Sequence, residues 1–204
     1  MFGEILIKGL IIGFSIAAPV GPIGVLCIRR TLEHGRFVGF VSGLGAATAD
    51  GVYGLIAGLG LTLITNFLVG QQWWLQLIGG AFLCYLGVKI FFSRPSNTSA
   101  KAKGTNPFTA YASTFFLTLT NPVTILSFIA IFSGLGIMDK YSTTLGLVLV
   151  LGIFLGSAIW WLLLSNIAGI VANRIEKSSL SLVNRISGLI LLLFGLYGLI
   201  IGII

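Results

Sequence analysis

Asp50 is an acidic residue set inside an apolar run, Gly43-Leu-Gly-Ala-Ala-Thr-Ala-Asp-Gly-Val-Tyr-Gly54. Gly39, Gly43, Ala47, Gly54 and Gly58 recur with it at spacings of three and four. On a helix, that stripe is the face that packs closely against other helices, so the acid should point into the protein. A carboxylate without a counter-cation is costly at such a site, and Lys8 and Lys89 fall near the ends of their own segments. The group therefore suits exchange of a proton for a cationic amine. The competing reading is a carboxyl hydrogen-bonded to a neighbouring helix for packing alone.

Two proline-bearing stretches supply the other candidates. In Ser15-Ile-Ala-Ala-Pro-Val-Gly-Pro-Ile-Gly24, Pro19 and Pro22 lack backbone donors and leave the carbonyls of Ser15 and Ala18 unpaired. Ala18 and Gly21, each preceding a proline, are pushed away from helical dihedrals. The helix should break here, and unpaired backbone within a bilayer is tolerated only where it lines a cavity or meets protein partners. In Thr118-Leu-Thr-Asn-Pro-Val-Thr124, Asn121 reads as an N-cap and Pro122 as the first residue of a half-helix. Pro22 can open a similar half-helix. Two such N-termini, with free N–H groups and positive dipole ends, suit a carboxylate. Simple kinks repaired by Ser and Thr are the alternative. Tyr53, one turn beyond Asp50, and Ser157 and Trp160 at the matching places of a later segment are candidates for the pocket wall. Trp73, Trp74 and Trp161 read as interfacial anchors, and His34 beside Glu33 as an ordinary solvated residue.

The elements that must position these residues are membrane spans. Of 204 residues, 8% are charged and 56% hydrophobic, which describes an all-α integral membrane protein. Six spans are predicted near 5 to 28, 37 to 64, 75 to 92, 108 to 133, 143 to 167 and 186 to 204. The first, third and fifth connections and their borders hold ten basic residues: Arg29, Arg30 and Arg36; Lys89, Arg94, Lys101 and Lys103; Arg174, Lys177 and Arg185. The other connections hold Lys140. Basic loops stay cytoplasmic, so both termini are expected outside, with Lys8 reaching to the outer surface. The polar stretch 93 to 107 is expected to be a cytoplasmic linker between two three-span repeats, 1 to 92 and 108 to 204. Matching positions connect the halves: Pro19 with Pro122, Leu44-Gly45 with Leu151-Gly152, Asp50 with Ser157, and Ile78, Gly80, Leu83 and Gly87 with Ile186, Gly188, Leu191 and Gly195. An odd number of spans per half makes the repeat inverted, with the first and fourth helices broken at corresponding places around a midplane site.

Other classes find little support. Cys27 and Cys84 lie in different apolar segments, with a single His and no Cys-x-x-Cys, so neither a disulfide nor a metal site is expected. No cofactor motif, nucleophile elbow or acid pair suggests an enzyme. The net charge of +7 reflects topology rather than a nucleic-acid partner. The first segment is too long and too broken for a removable signal peptide.

Pro19-Val-Gly-Pro22 with Gly24, the basic turn ending at Gly35-Arg36, the Gly43 to Gly54 stretch with Asp50, and Asn121-Pro122 together make the chain similar to the lysine exporter (LysE/RhtB) superfamily of bacterial amino-acid translocators. Many relatives carry Lys after the second proline, where this chain has Val123. The resemblance implies a multi-pass protein of the bacterial inner membrane that exports amino acids or related metabolites at the expense of the proton gradient. On that expectation a zwitterion's carboxylate meets the half-helix N-termini and Asn121, its amine meets Asp50, and the repeats rock about the site. With one buried acid, a neutral amino acid is favoured over lysine. A metal cation or other small solute is the alternative cargo. Gly-lined faces permit a homodimer.

Overall fold

The structure, a computed structural model, describes residues 2–19, 21–58, 72–92, 106–121, 124–125, 127–128, 143–172 and 177–203. Among them the chain is helical throughout, with seven helices and no strand. These are α1 (Phe2–Ala17), α2 (Pro22–His34), α3 (Arg36–Gly58), α4 (Gln72–Phe91), α5 (Pro107–Leu119), α6 (Thr143–Ala172) and α7 (Lys177–Ile203).

The first break falls where the prolines require it. Ala18 N–H still donates to Phe14 O at 2.9 Å, Gly21 N–H turns back to Pro19 O at 3.0 Å, and Pro22 opens α2. The axes of α1 and α2 differ by 83°. In the fourth segment α5 ends at Leu119, and helix is found again at Thr124–Ile125, whose N–H groups both donate to Asn121 O at 3.1 and 3.2 Å. Pro122 and Val123 lie outside the described residues.

By length and hydropathy, α6 and the Ser181–Ile200 part of α7 are each sufficient to cross a membrane, and α1 with α2 qualifies as one bent span. Large apolar side chains face outward along them, including Leu151, Ile167, Leu193 and Ile200, as a lipid-facing surface requires. Helix ends depart from expectation at the basic side. Arg29 and Arg30 sit inside α2 rather than in a loop, and Lys177 and Arg185 sit inside α7, because polar helix continues past the apolar stretch. The connection of α2 to α3 shrinks to Gly35, whose φ of 90° favours glycine.

Helices of the two sequence halves alternate in the packing. The most extensive pairs are α4 with α7, α1 with α6, and α3 with both α6 and α5. Glycines let the backbones approach. A Cβ on Gly80 would lie 2.9 Å from Gly195 O, one on Gly87 would lie 2.8 Å from Gly188 O, and one on Gly9 would lie 2.9 Å from Gly152 Cα. Thus α1, α3, α5 and α6 form one group, α4 and α7 a second, and α2 touches both.

Candidate functional site

A cavity of about 290 Å³ lies between these two groups, at the small end of the range for metabolite sites. The α4–α7 pair contributes Gln76, Gly79, Gly80, Leu83, Phe194, Tyr197 and Gly198, while α3, α5 and α6 contribute Ala46, Asp50, Leu117, Thr118 and Trp161. Both helix breaks reach it, through Pro19, Gly21, Pro22 and Gly24 and through Thr120 and Asn121. Among the described residues lining it, Asp50 is the one that is charged.

Asp50 is 3% exposed, fourteen residues into α3 from Arg36, or ~20 Å along the axis. Ser157 Oγ of α6 donates to Asp50 Oδ2 at 2.7 Å, and Trp161 Nε1, one turn further along α6, donates to Ser157 Oγ at 3.1 Å. Among the described residues Asp50 takes part in no ion pair. The carboxyl thus has one oxygen held by a hydroxyl, and the residue borders the cavity.

Of the residues singled out from sequence, Pro19, Gly21, Pro22, Asp50 and Asn121 come together around the cavity. Ser157 stands behind it, holding the acid. Tyr53 is buried, and its hydroxyl donates to Leu119 O at 2.5 Å, so it caps the last carbonyl of α5 rather than lining the space. Ser15 is exposed: its carbonyl is released by Pro19, but its side chain is on the outer face of α1. Trp160 packs edge-on against Phe14, ring centroids 5.4 Å apart, and the cavity is lined by its neighbour instead. Trp161 is therefore no interfacial anchor. It is 4% exposed, because a step of about 100° along the helix turns it from lipid to interior. Trp74 is half exposed, and the side chain of Trp73 lies outside the described residues. His34 is only partly exposed, its Nδ1 3.9 Å from Glu33 Oε2, so it is not a freely solvated residue.

Sequence reasoning did not single out Gln76, and it gave no place at the cavity to Trp161 or to the threonines at the end of α5. Gln76 is 8% exposed and lines the cavity. A lone amide among apolar neighbours was its one signal, masked by Gln71 and Gln72 nearby.

The LysE type translocator family model matches residues 14–202, nearly the whole chain. The chain belongs to the LysE type translocator family. Among the relatives of this translocator-family chain is a Bacillus subtilis (strain 168) protein named "Putative amino acid efflux protein YcgF", 29% identical over 200 residues, which cover 95% of this chain and 94% of that one. "Uncharacterized membrane protein YahN" of Escherichia coli (strain K12) is 31% identical over 183 residues, 83% of this chain and 77% of that one. "Uncharacterized membrane protein YrhP" of Bacillus subtilis is 27% identical over 183 residues. No solved structure matches the chain.

Proposed function

We propose that this translocator exports a neutral amino acid or a closely related small zwitterion in exchange for a proton, by alternating access of the cavity around Asp50. The observation that carries the reading is a small cavity at which both broken helices meet and whose described lining holds one charged residue. The substrate's amine pairs with Asp50, which gives up its proton as the pair forms, while the substrate's carboxylate takes the N–H groups at the start of α2, beside Asn121. Leu83, Trp161, Phe194 and Tyr197 give the remaining wall an apolar, aromatic character fit for an uncharged side chain. A second cation would find no second acid among the described residues there.

The inverted repeat of two three-span halves is part of the same proposal, and the packing supports it. Exchanging matched positions carries the Gly80–Gly195 approach onto Gly188–Gly87, and the α1–α6 pair onto α5–α3. Asp50 and Ser157, matched in sequence, hydrogen-bond each other, as residues beside a two-fold axis do. Six spans, outward termini and a cytoplasmic linker over 93 to 107 complete the topology. Because the halves alternate, the moving unit is the α4–α7 pair against the group of α1, α3, α5 and α6 rather than one half against the other.

The test is efflux from proteoliposomes loaded with individual neutral amino acids, chosen by which of them raise the melting temperature of the purified protein. Asp50→Asn is expected to abolish proton-driven efflux while leaving the fold intact. Normal coupled efflux by that variant would refute the role of Asp50.

A further inference from the structure

The cavity is closed at one end. Its lining toward the basic ends of the helices, Ala46, Leu117 and Trp161, is buried to 4% exposure or less. Beneath that floor α2 carries two adjacent arginines that fasten it to three different helices. Arg30 is 6% exposed. Its Nη1 donates to Ser42 Oγ of α3 and to Ala110 O of α5, both at 2.9 Å, and its Nη2 donates to Ser113 Oγ of α5 at 2.7 Å. Arg29 Nε donates to Asn184 Oδ1 of α7 at 3.0 Å, and its Nη2 to Glu33 Oε1 at 2.9 Å.

A buried guanidinium usually has a carboxylate, since removing the charge from water is expensive. Among the described residues Arg30 has none, and its acceptors are two hydroxyls and one peptide carbonyl. Topological preference for basic loops accounts for a positive charge at this end but not for its burial. Such a clamp has a particular property. Pulling α2 away from α3 and α5 strands no buried anion, and the released guanidinium can reach water at the membrane surface. The rigid fork reaches both helices at once, which a lysine's single ammonium does not.

We propose that Arg30, with Arg29, is the gate on the basic side of the protein: α2 closes the cavity toward the cytoplasm, and the cavity opens there when Arg30 leaves Ser42, Ala110 and Ser113. The inference rests on the transport reading above, and its test is independent of Asp50. Cys27 provides the reporter. It lies one turn before Arg30 on the same helix, is 1% exposed, and packs in the cavity floor with Leu26, Ala46, Leu117 and Trp161.

In a Cys84→Ala background Cys27 is the single thiol. Its labelling by a membrane-impermeant maleimide is measured from each face of membrane vesicles, without substrate. Arg30→Gln, and separately the Ser42→Ala, Ser113→Ala pair, remove hydrogen bonds to a buried charge and are expected to speed labelling from the cytoplasmic face about tenfold. Labelling from the opposite face should stay at the parent rate. Unchanged cytoplasmic labelling in the serine variant, with its melting temperature kept, overturns the gate even where Arg30→Gln fails to fold. Equal acceleration from both faces also overturns it, since that is the behaviour of a merely structural clamp. If Asp50→Asn transports normally while labelling behaves as expected, the gate stands and the substrate site falls.

Discussion

At the scale of single residues, the hydrogen-bond chain from Trp161 through Ser157 to Asp50 is the feature with the sharpest consequences. Ser157 donates one hydrogen bond to the acid, and on the proposed cycle that bond strengthens when Asp50 ionises on meeting the amine, by about 1 kcal/mol, or roughly fivefold in an equilibrium. Ser157→Ala should therefore lower apparent substrate affinity by about that factor without abolishing efflux, and Ser157→Thr should restore it. Trp161→Phe keeps an aromatic side chain but loses the five-membered ring together with its N–H, and it reaches the acid only through Ser157. The measurement is the concentration dependence of efflux, and a Ser157→Ala variant indistinguishable from the parent would remove this hydroxyl from the site. The acid itself was legible in the sequence, because a charge in an apolar run with glycines at helical spacing has few interpretations. Its partner's neighbour was not. Trp160 and Trp161 differ by about 100° of rotation, and aligning the halves selected the one that meets Phe14.

Secondary-structure elements were readable to the extent that covalent chemistry dictates them. A proline has no donor, so the break between α1 and α2 follows from Pro19 and Pro22 whatever else the chain does. The burial of Arg30 was hidden, because a loop and the polar end of a helix share one composition. Glycines divide by element in a way that can be checked. A Cβ at Gly21 would meet nothing within 4 Å, and the residue borders the cavity with φ −96°. Gly21→Val should thus leave the melting temperature close to the parent's while obstructing efflux. Gly80 borders the same cavity, but its Cβ would lie 2.9 Å from Gly195 O. Gly80→Val should lower the melting temperature by several degrees, the expected result of forcing α4 from α7 by overpacking of about 1–3 kcal/mol. Equal melting temperatures for the two variants would refute this division.

At the scale of the molecule, the sequence announced a membrane protein and offered matched positions for the two halves proposed above, yet not which helices pack together. Matched positions such as Gly80 and Gly188 identify equivalent places without saying that each will touch the other's neighbour. Only the packing shows α4 with α7 as one unit and α2 lying across both groups. The place opposite Asp50 across the proposed axis is held by Ser157, which cannot ionise at physiological pH, so the pair carries one titrating group where a more symmetric chain would carry two. On the proposed cycle a zwitterion leaves, a single proton returns, and one positive charge enters the cell per turnover. Export is then electrogenic, and a potential of 100 mV, worth about 2.3 kcal/mol per charge, sustains a concentration ratio of roughly fiftyfold. Imposing a potassium-diffusion potential, negative on the cytoplasmic side, across proteoliposomes at equal pH should drive efflux by itself.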